Sequence, residues 1–195
     1  MYGGEIELQE LVATGALDRA TDLAIRTYGD ELIAWLRSIL PLDDAYDAFS
    51  WLCVELWRSL RRFDGRCTVR TWCYVLARHA VARIRRSRAR SREILVPRLP
   101  AHAEAVTQIW AVAFGPERRE DDVYVEIRHK LDPDDQALLA MRVDQNLAWT
   151  DIAQVVLGEA AADQAAVRRK SAALRKQFER VKGQLRELAA RRLRD

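Results

Sequence analysis

The spacing of apolar positions along the chain is helical almost throughout. Apolar residues recur three and four positions apart, whereas the strict alternation that is typical of half-buried strands is almost absent. The pattern therefore predicts an all-α fold. In the first half of the chain the predicted helices span residues 5–14, 17–28, 30–40, about 43–60 and 68–90.

Local signals indicate where several of these helices begin and end. Pro41 ends the third helix, because proline has no backbone N–H and its ring clashes with the preceding turn. Asp43 or Asp44 can cap the next helix, since a short acidic side chain accepts hydrogen bonds from free N–H groups there. Gly65 breaks the chain, and Thr68 is the predicted cap of the helix that follows.

The helical pattern weakens between residues 93 and 120. Helix-breaking residues are typical of a linker between domains. The sequence therefore predicts two small helical domains, residues 1–92 and 121–195, joined by this linker. The breaking residues are Pro97, Pro100, Gly115 and Pro116.

The second predicted domain has the spacing of a helix-turn-helix. Asp132 and Pro133 form a helix start signal, a capping acid followed by proline at the first helical position. A short helix closed by Gly158 then precedes a long basic helix. Its apolar stripe is expected to face the core through Phe178, beyond which the helix outruns its domain toward the linker, another protein or a second copy. The predicted helices span residues 122–130, 132–143, 149–157 and 162–193.

Positive charge is concentrated in two blocks, although the formal net charge of the 195 residues is only +3. Eleven arginines lie between residues 61 and 92, and eleven arginines and lysines lie between residues 168 and 194. Two basic blocks far apart in sequence favour two contacts on one long anion such as nucleic acid. The alternative, that both blocks are solvated helix faces, stays open at this point.

Several classes of protein do not fit the sequence. It contains no Gly-rich phosphate loop, Ser/His/Asp set or metal-ligand spacing, so we expect no enzyme, no cofactor and no metal site. The three cysteines, Cys53, Cys67 and Cys73, cannot all pair and are expected to be reduced thiols. With no membrane-length apolar run and no signal-like start, we expect a cytoplasmic protein without membrane insertion.

One segment is similar to a known family. Residues 63–92 combine a Gly-broken loop, a tryptophan near the start of a helix and an arginine-rich tail. In this combination the chain resembles bacterial alternative sigma factors of the extracytoplasmic-function (ECF) type, within the sigma-70 family. The matching residues are Phe63, Asp64, Gly65, Arg66, Val69, Arg70, Thr71, Trp72, Tyr74, Ala77 and Arg78, with Asp44, Ala45, Asp47, Leu56 and Trp57 upstream and Leu131, Pro133, Asp151, Ile152, Ala153, Leu157 and Gly158 downstream.

The resemblance implies that the chain binds core RNA polymerase and directs promoter recognition. In the family, the helix before the loop docks on a coiled coil of the largest polymerase subunit. This chain has Ser50 and Trp51 where the family usually has Gln and Glu. Core RNA polymerase, promoter DNA and an anti-sigma or other regulatory protein are the implied partners. The candidate polymerase-binding residues are Asp47, Trp51, Glu55 and Arg58.

The resemblance also implies that the loop and the helix after it open the minus-ten element. A flipped base can enter the loop pocket, and stacking on an aromatic ring stabilises such a base by roughly 1–3 kcal/mol. Trp72 could instead belong to the core, and the sequence leaves both roles open. The candidate minus-ten residues are Asp64, Arg66, Thr68, Arg70, Trp72, Arg78, His79, Arg83, Arg85 and Arg86.

The second domain is the candidate reader of the minus-thirty-five element. The start of a recognition helix enters the major groove, where arginine can bind guanine bidentately. Arg175 and Lys176 are expected to contact phosphate instead. The full candidate set is Gln164, Arg168, Arg169, Lys170, Ser171, Arg175 and Lys176.

Two other functions stay open on the sequence. One is a helix-turn-helix DNA-binding regulator that never joins polymerase, which explains the second domain but leaves residues 63–72 without a purpose. The other is a sigma-like adaptor whose main role is to be bound by, or to bind, a protein partner.

Overall fold

The computed structural model of the chain describes residues 2–89, 127–158, 161 and 163–192. These residues are mostly helical and contain no strand, which confirms the predicted all-α class. Close backbone contacts divide the chain into two compact units, residues 1–115 and 116–195. The predicted linker, residues 93–120, lies outside the described residues.

The first unit is built from α1 (Tyr2–Ala13), α2 (Leu17–Arg37), α3 (Leu42–Ser59), a 3₁₀ turn (Leu60–Arg62) and α4 (Val69–Ala89). α3 packs against α2 and α4, and α1 packs against the same two helices. In the core, Trp35 of α2 meets Tyr74 of α4 edge to face, with 5.7 Å between the ring centres. Further fully buried side chains are Ile25, Leu32, Leu36, Phe49, Leu52, Leu56, Leu60 and Ile84.

α2 is a single helix, so the predicted break between residues 28 and 30 is wrong. Gly29 is buried inside the helix. A glycine costs a helix interior about 1 kcal/mol relative to alanine. The apolar stripe continues on both sides of it, with Ile25 and Leu32 in the core, and burying each such side chain contributes about 2 kcal/mol. Core packing therefore outweighs the local signal.

The predicted capping of α3 is also wrong. Pro41 occupies the N-cap position, and within the described residues no side chain caps this end. Asp43 and Asp44 lie in the first turn, where their negative charge interacts favourably with the helix dipole. Asp44 is buried and pairs with Arg88 of α4 at 2.7 Å. The side chain of Asp44, which the sequence predicts as a cap, therefore forms an ion pair with another helix.

Most of the described part of the second unit consists of α5 (Pro133–Leu139), a π-helical extension of it (Ala140–Asp144), α6 (Trp149–Leu157) and α7 (Gln164–Arg192). Of the predicted helix 122–130 only the end is described, and residues 127–129 are helical. The start signal of α5 is confirmed, since Asp132 accepts hydrogen bonds from the N–H groups of Asp134 and Asp135 at 3.1 Å. Gly158 ends α6 with φ of +58°, as predicted.

α7 stays packed on its own unit beyond Phe178, so the prediction that it outruns the domain there is wrong. Val181 is fully buried, in a cluster with Leu131 and Leu139. The apolar stripe continues against that cluster for two further turns of helix. The partly buried side chains packed on the cluster are Phe178, Leu185 and Leu188.

A buried carboxylate also holds α7 on α5. Asp135 is 1% exposed and accepts hydrogen bonds from Gln177 at 2.6 Å and from Arg180 at 3.0 Å. Burial raises the pKa of Asp135, and the hydrogen bond from Gln177 opposes that rise. One arginine of the second basic block therefore supports the fold of this unit.

Candidate nucleic-acid interface

The loop between the 3₁₀ turn and α4 is exposed and closes on itself. Gly65 adopts φ of +72°, a left-handed conformation that favours glycine. On either side of it, the Asp64 carboxylate accepts the Arg66 backbone N–H at 3.2 Å and pairs with the Arg66 guanidinium. These contacts, led by the backbone N–H, hold the pKa of Asp64 below its ordinary value. A tight, polar turn therefore precedes α4.

Thr68 caps α4, as the sequence predicts. Its hydroxyl oxygen accepts the backbone N–H of Thr71 at 3.0 Å, which is the third residue of the helix. The Thr68 side chain is exposed and also lies 2.9 Å from the Thr71 hydroxyl. The predicted base-contacting residue thus has a structural role at the end of the loop.

Trp72 lies one turn into α4 and is half-buried. Its indole N–H donates to the Ser59 hydroxyl at 3.1 Å, and its ring centre is 6.1 Å from that of Phe63. The hydrogen bond fixes the ring while part of it stays accessible beside the loop. This placement fits either of the two roles that the sequence left open.

Basic side chains continue from Trp72 along one side of α4. His79, Arg83 and Arg86 follow it at steps of seven, four and three residues, so the four positions share one helix face. These three side chains are exposed, Arg85 is exposed as well, and Arg78 is half-buried. The face is therefore aromatic at the loop end and positively charged beyond it.

Two other arginines of α4 support the fold. Arg70 donates two hydrogen bonds to Glu31 of α2, at 2.7 and 2.8 Å, in a bidentate ion pair. Arg88 pairs with Asp44 of α3. Arg70 is predicted to contact DNA, and in the structure its guanidinium is paired with Glu31.

Glu5 of α1 is a residue that the sequence reasoning missed. One of its carboxylate oxygens accepts the backbone N–H of Val69, the first residue of α4, at 2.6 Å. The other accepts the hydroxyl of Tyr28 in α2, also at 2.6 Å. Glu5 and Val69 are 64 positions apart, and no local pattern announces such a contact.

The predicted polymerase-binding residues lie along α3. Asp47, Trp51, Glu55 and Arg58 are spaced by four, four and three residues, which places them on one helix face. Burial raises the pKa of Asp47, and the charges of Asp44 and Asp43 raise it further. Glu55 pairs with Arg58 at 3.3 Å.

This α3 face meets the basic face of α4 at one point. The Arg83 guanidinium lies over the Trp51 ring, 5.9 Å from its centre, at cation–π distance. A predicted polymerase contact and a predicted DNA contact are therefore neighbours.

α7 presents basic side chains on its outer side. Arg168, Arg169, Arg175 and Lys176 are exposed, and the steps of seven residues between them form two adjacent rows. Asp163 accepts the Ala165 N–H at 2.8 Å at the start of this helix and lies 3.4 Å from Arg169. Gln164 is exposed and Lys170 is half-buried.

Ser171 is placed differently from the other candidates on α7. Its side chain is buried, and its hydroxyl donates to the backbone carbonyl of Trp149 at 3.1 Å. The Trp149 ring in turn packs edge to face on Phe178, with 5.4 Å between centres. Ser171 therefore joins α7 to α6 through a buried hydroxyl.

The predicted absence of a metal site concerns the acidic, histidine and cysteine side chains. In the described part of the chain, no three His, Cys, Asp or Glu side chains come together as metal ligands would. Cys53 and Cys73 are buried, which raises the pKa of both thiols, and Cys67 in the loop is half-buried. None of the described helices is long and apolar enough to cross a membrane.

The loop and the basic face of α4 lie in a region that is similar to a known protein family. The family model of sigma-70 region 2 matches residues 24–91, which include α3, the loop and the basic face of α4. No curated protein and no solved structure matches the chain. Sigma-70 region 2 is a domain of transcription initiation factors that bind RNA polymerase. Residues 24–91 are therefore a sigma-70 region 2 domain.

Proposed function

We propose that this protein is an alternative sigma factor of the ECF type, which binds core RNA polymerase and directs transcription initiation at promoters. The observation that carries the proposal is the sigma-70 region 2 match over residues 24–91. It is supported by the arrangement of that domain, in which an exposed loop adjoins a half-buried tryptophan and a row of basic side chains.

The α3 face is the proposed polymerase-binding surface. Trp51 supplies apolar contact area, and Asp47, Glu55 and Arg58 supply charges on the same side of the helix. Because Arg83 lies against Trp51, polymerase bound at this face would also fix one edge of the basic surface. Polymerase binding and DNA binding are therefore coupled through a shared contact.

Strand opening is the proposed task of the loop and α4. Extruding a base costs a few kcal/mol in lost stacking and pairing. Stacking on Trp72 and capture by residues 64–68 would offset roughly 1–3 kcal/mol of that cost. Arg78, Arg85 and the face of His79, Arg83 and Arg86 would hold the phosphates of the separated strand.

The second unit is proposed to bind duplex DNA at the minus-thirty-five element with α6 and α7 as a helix-turn-helix. Gln164, Arg168, Arg169 and Lys170 lie at the start of α7, the part of a recognition helix that reaches base edges. Arg175 and Lys176 lie further along the same exposed side and would contact phosphate. Ser171 is left out because it is buried.

The remaining parts of the proposal concern location and control. A sigma factor acts in the cytoplasm, where bacterial RNA polymerase transcribes the genome. We expect an anti-sigma or other regulatory protein to bind the α3 face or the basic face of α4. No cofactor is required for this function.

Reconstituted transcription tests the proposal. The full chain is mixed with core RNA polymerase from its host and with sheared genomic DNA, and the 5′ ends of the transcripts are sequenced. A sigma factor yields discrete starts that share upstream sequence elements and that vanish without the chain. Failure to bind core polymerase, with retained duplex binding, would favour a helix-turn-helix regulator. Polymerase binding with no transcript from any template would favour the adaptor.

A further inference from the structure

The first turn of α4 is anchored by a side chain from a different part of the chain. The Glu5 carboxylate accepts the Val69 backbone N–H and the Tyr28 hydroxyl, each at 2.6 Å. A single group thus joins α1, α2 and α4. Glu5 belongs to α1, which lies before the matched residues 24–91.

This contact adds a second cap to the first turn of α4. The first N–H groups of a helix have no partner within the helix. Thr68 satisfies the N–H of Thr71, and Glu5 satisfies that of Val69. Because Thr68 is the last residue of the loop and Val69 is the first residue of α4, the two caps fix the direction in which residues 63–68 enter the helix.

The carboxylate also decides what the end of α4 can bind. The N-terminus of a helix is an anion site, because its N–H groups and its dipole both favour negative charge. Here Glu5 already holds that position, and Tyr28 holds Glu5. A DNA phosphate approaching the first turn would meet a carboxylate, so this end of α4 favours an uncharged base over a phosphate.

We infer that Glu5 is a positioning residue for single-strand capture: it holds the first turn of α4 and, through it, the loop of residues 63–68. This inference rests on the proposed function. It makes α1 part of the proposed DNA-binding region, since the loop that would bind a base depends on a helix outside the matched domain.

Strand binding by the full chain in complex with core polymerase tests the role. The probe is a fluorescein-labelled single strand of random sequence, about 20 nucleotides long, compared with a duplex of the same length. Removing a helix cap changes an equilibrium about fivefold, so Glu5→Ala is expected to weaken single-strand binding about fivefold. Duplex binding is expected to stay the same.

Three further variants separate positioning from simple loss of stability. Glu5→Gln keeps an acceptor for the Val69 N–H and is expected to restore single-strand binding. Tyr28→Phe removes one hydrogen bond of Glu5 but leaves the one to Val69, and is expected to bind strands almost normally. Glu7→Ala removes an exposed carboxylate from the same helix and is the matched control.

Amide hydrogen exchange in the free full chain gives a readout that needs no DNA. The Val69 amide is expected to exchange about fivefold faster in Glu5→Ala, and not in Glu7→Ala. Unchanged exchange would overturn the inference. So would single-strand binding that is unchanged, or stronger, in Glu5→Ala, the latter because it would mean that the carboxylate blocks a phosphate site. A wild-type complex with no single-strand binding at all would instead refute the proposed function.

Discussion

The ion pair between Arg70 and Glu31 gives the sharpest energetic prediction. Its two N–H···O contacts measure 2.7 and 2.8 Å, and the two side chains are 26% and 24% exposed. Fully exposed pairs contribute about 0.2–1 kcal/mol, whereas a hydrogen bond to a charged group contributes about 1.5–3 kcal/mol. Bidentate geometry favours the upper range and partial exposure reduces it, so we expect a coupling energy of about 1–2 kcal/mol.

A double-mutant cycle measures this coupling. Glu31→Gln, Arg70→Gln and the double variant are unfolded with urea, and the interaction energy is the deviation from additivity. The matched control is Arg58 with Glu55, a single contact at 3.3 Å within one helix whose arginine is 54% exposed, for which we expect less than about 0.5 kcal/mol. Equal coupling in the two cycles would refute the reasoning that burial and bidentate geometry make the Arg70 pair structural.

The same variants test whether Arg70 also binds DNA. Glu31→Gln removes the charge that holds Arg70 in place. If Arg70 is structural, Glu31→Gln lowers the stability of the fold and does not increase the affinity for single strands. An increase in single-strand affinity in Glu31→Gln would show that the freed arginine is a DNA ligand, as the sequence predicted.

Three further predictions concern other parts of the fold. Folding raises the pKa of Asp47, so Asp47→Asn is expected to raise the melting temperature at neutral pH and to weaken polymerase binding. This stabilisation should disappear as the pH falls below the ordinary pKa of a carboxylate, and thermal melts at several pH values measure it. Asp135→Ala is expected to cost about 2 kcal/mol in urea unfolding, since the hydrogen bonds that Gln177 and Arg180 donate to a buried carboxylate are lost. Thr68→Ala is expected to cost about 1 kcal/mol, and Thr68→Ser to restore it.

Local signals predicted those features whose causes are local. Asp132 and Pro133 start α5, Thr68 starts α4 and Gly158 ends α6, because in each case a few neighbouring residues determine the backbone. Gly29 shows the limit of such signals. Its local cost is about 1 kcal/mol, and it is outweighed by core contacts that no short window of sequence contains.

The candidate site was predicted less completely, for the same physical reason. Composition showed that α4 is rich in arginine, but not which arginines face solvent. Arg70 and Arg88 find their partners 39 and 44 positions away, and the buried Ser171 donates a hydrogen bond to a carbonyl 22 positions away. Helix spacing alone does place Trp72, His79 and Arg83 on one face. Partner choice depends on how helices pack, and only the structure supplies that.

Mapping of unpaired thymines with permanganate shows whether this chain and polymerase together open promoter DNA. Core RNA polymerase, the full chain and a template carrying one of its transcript starts are combined, and oxidised thymines are located at single-nucleotide resolution. We expect a short reactive stretch just upstream of the start that requires both polymerase and this chain, and that shrinks when Trp72 is replaced by alanine. A template that stays fully paired whenever polymerase and this chain are both bound would contradict this expectation.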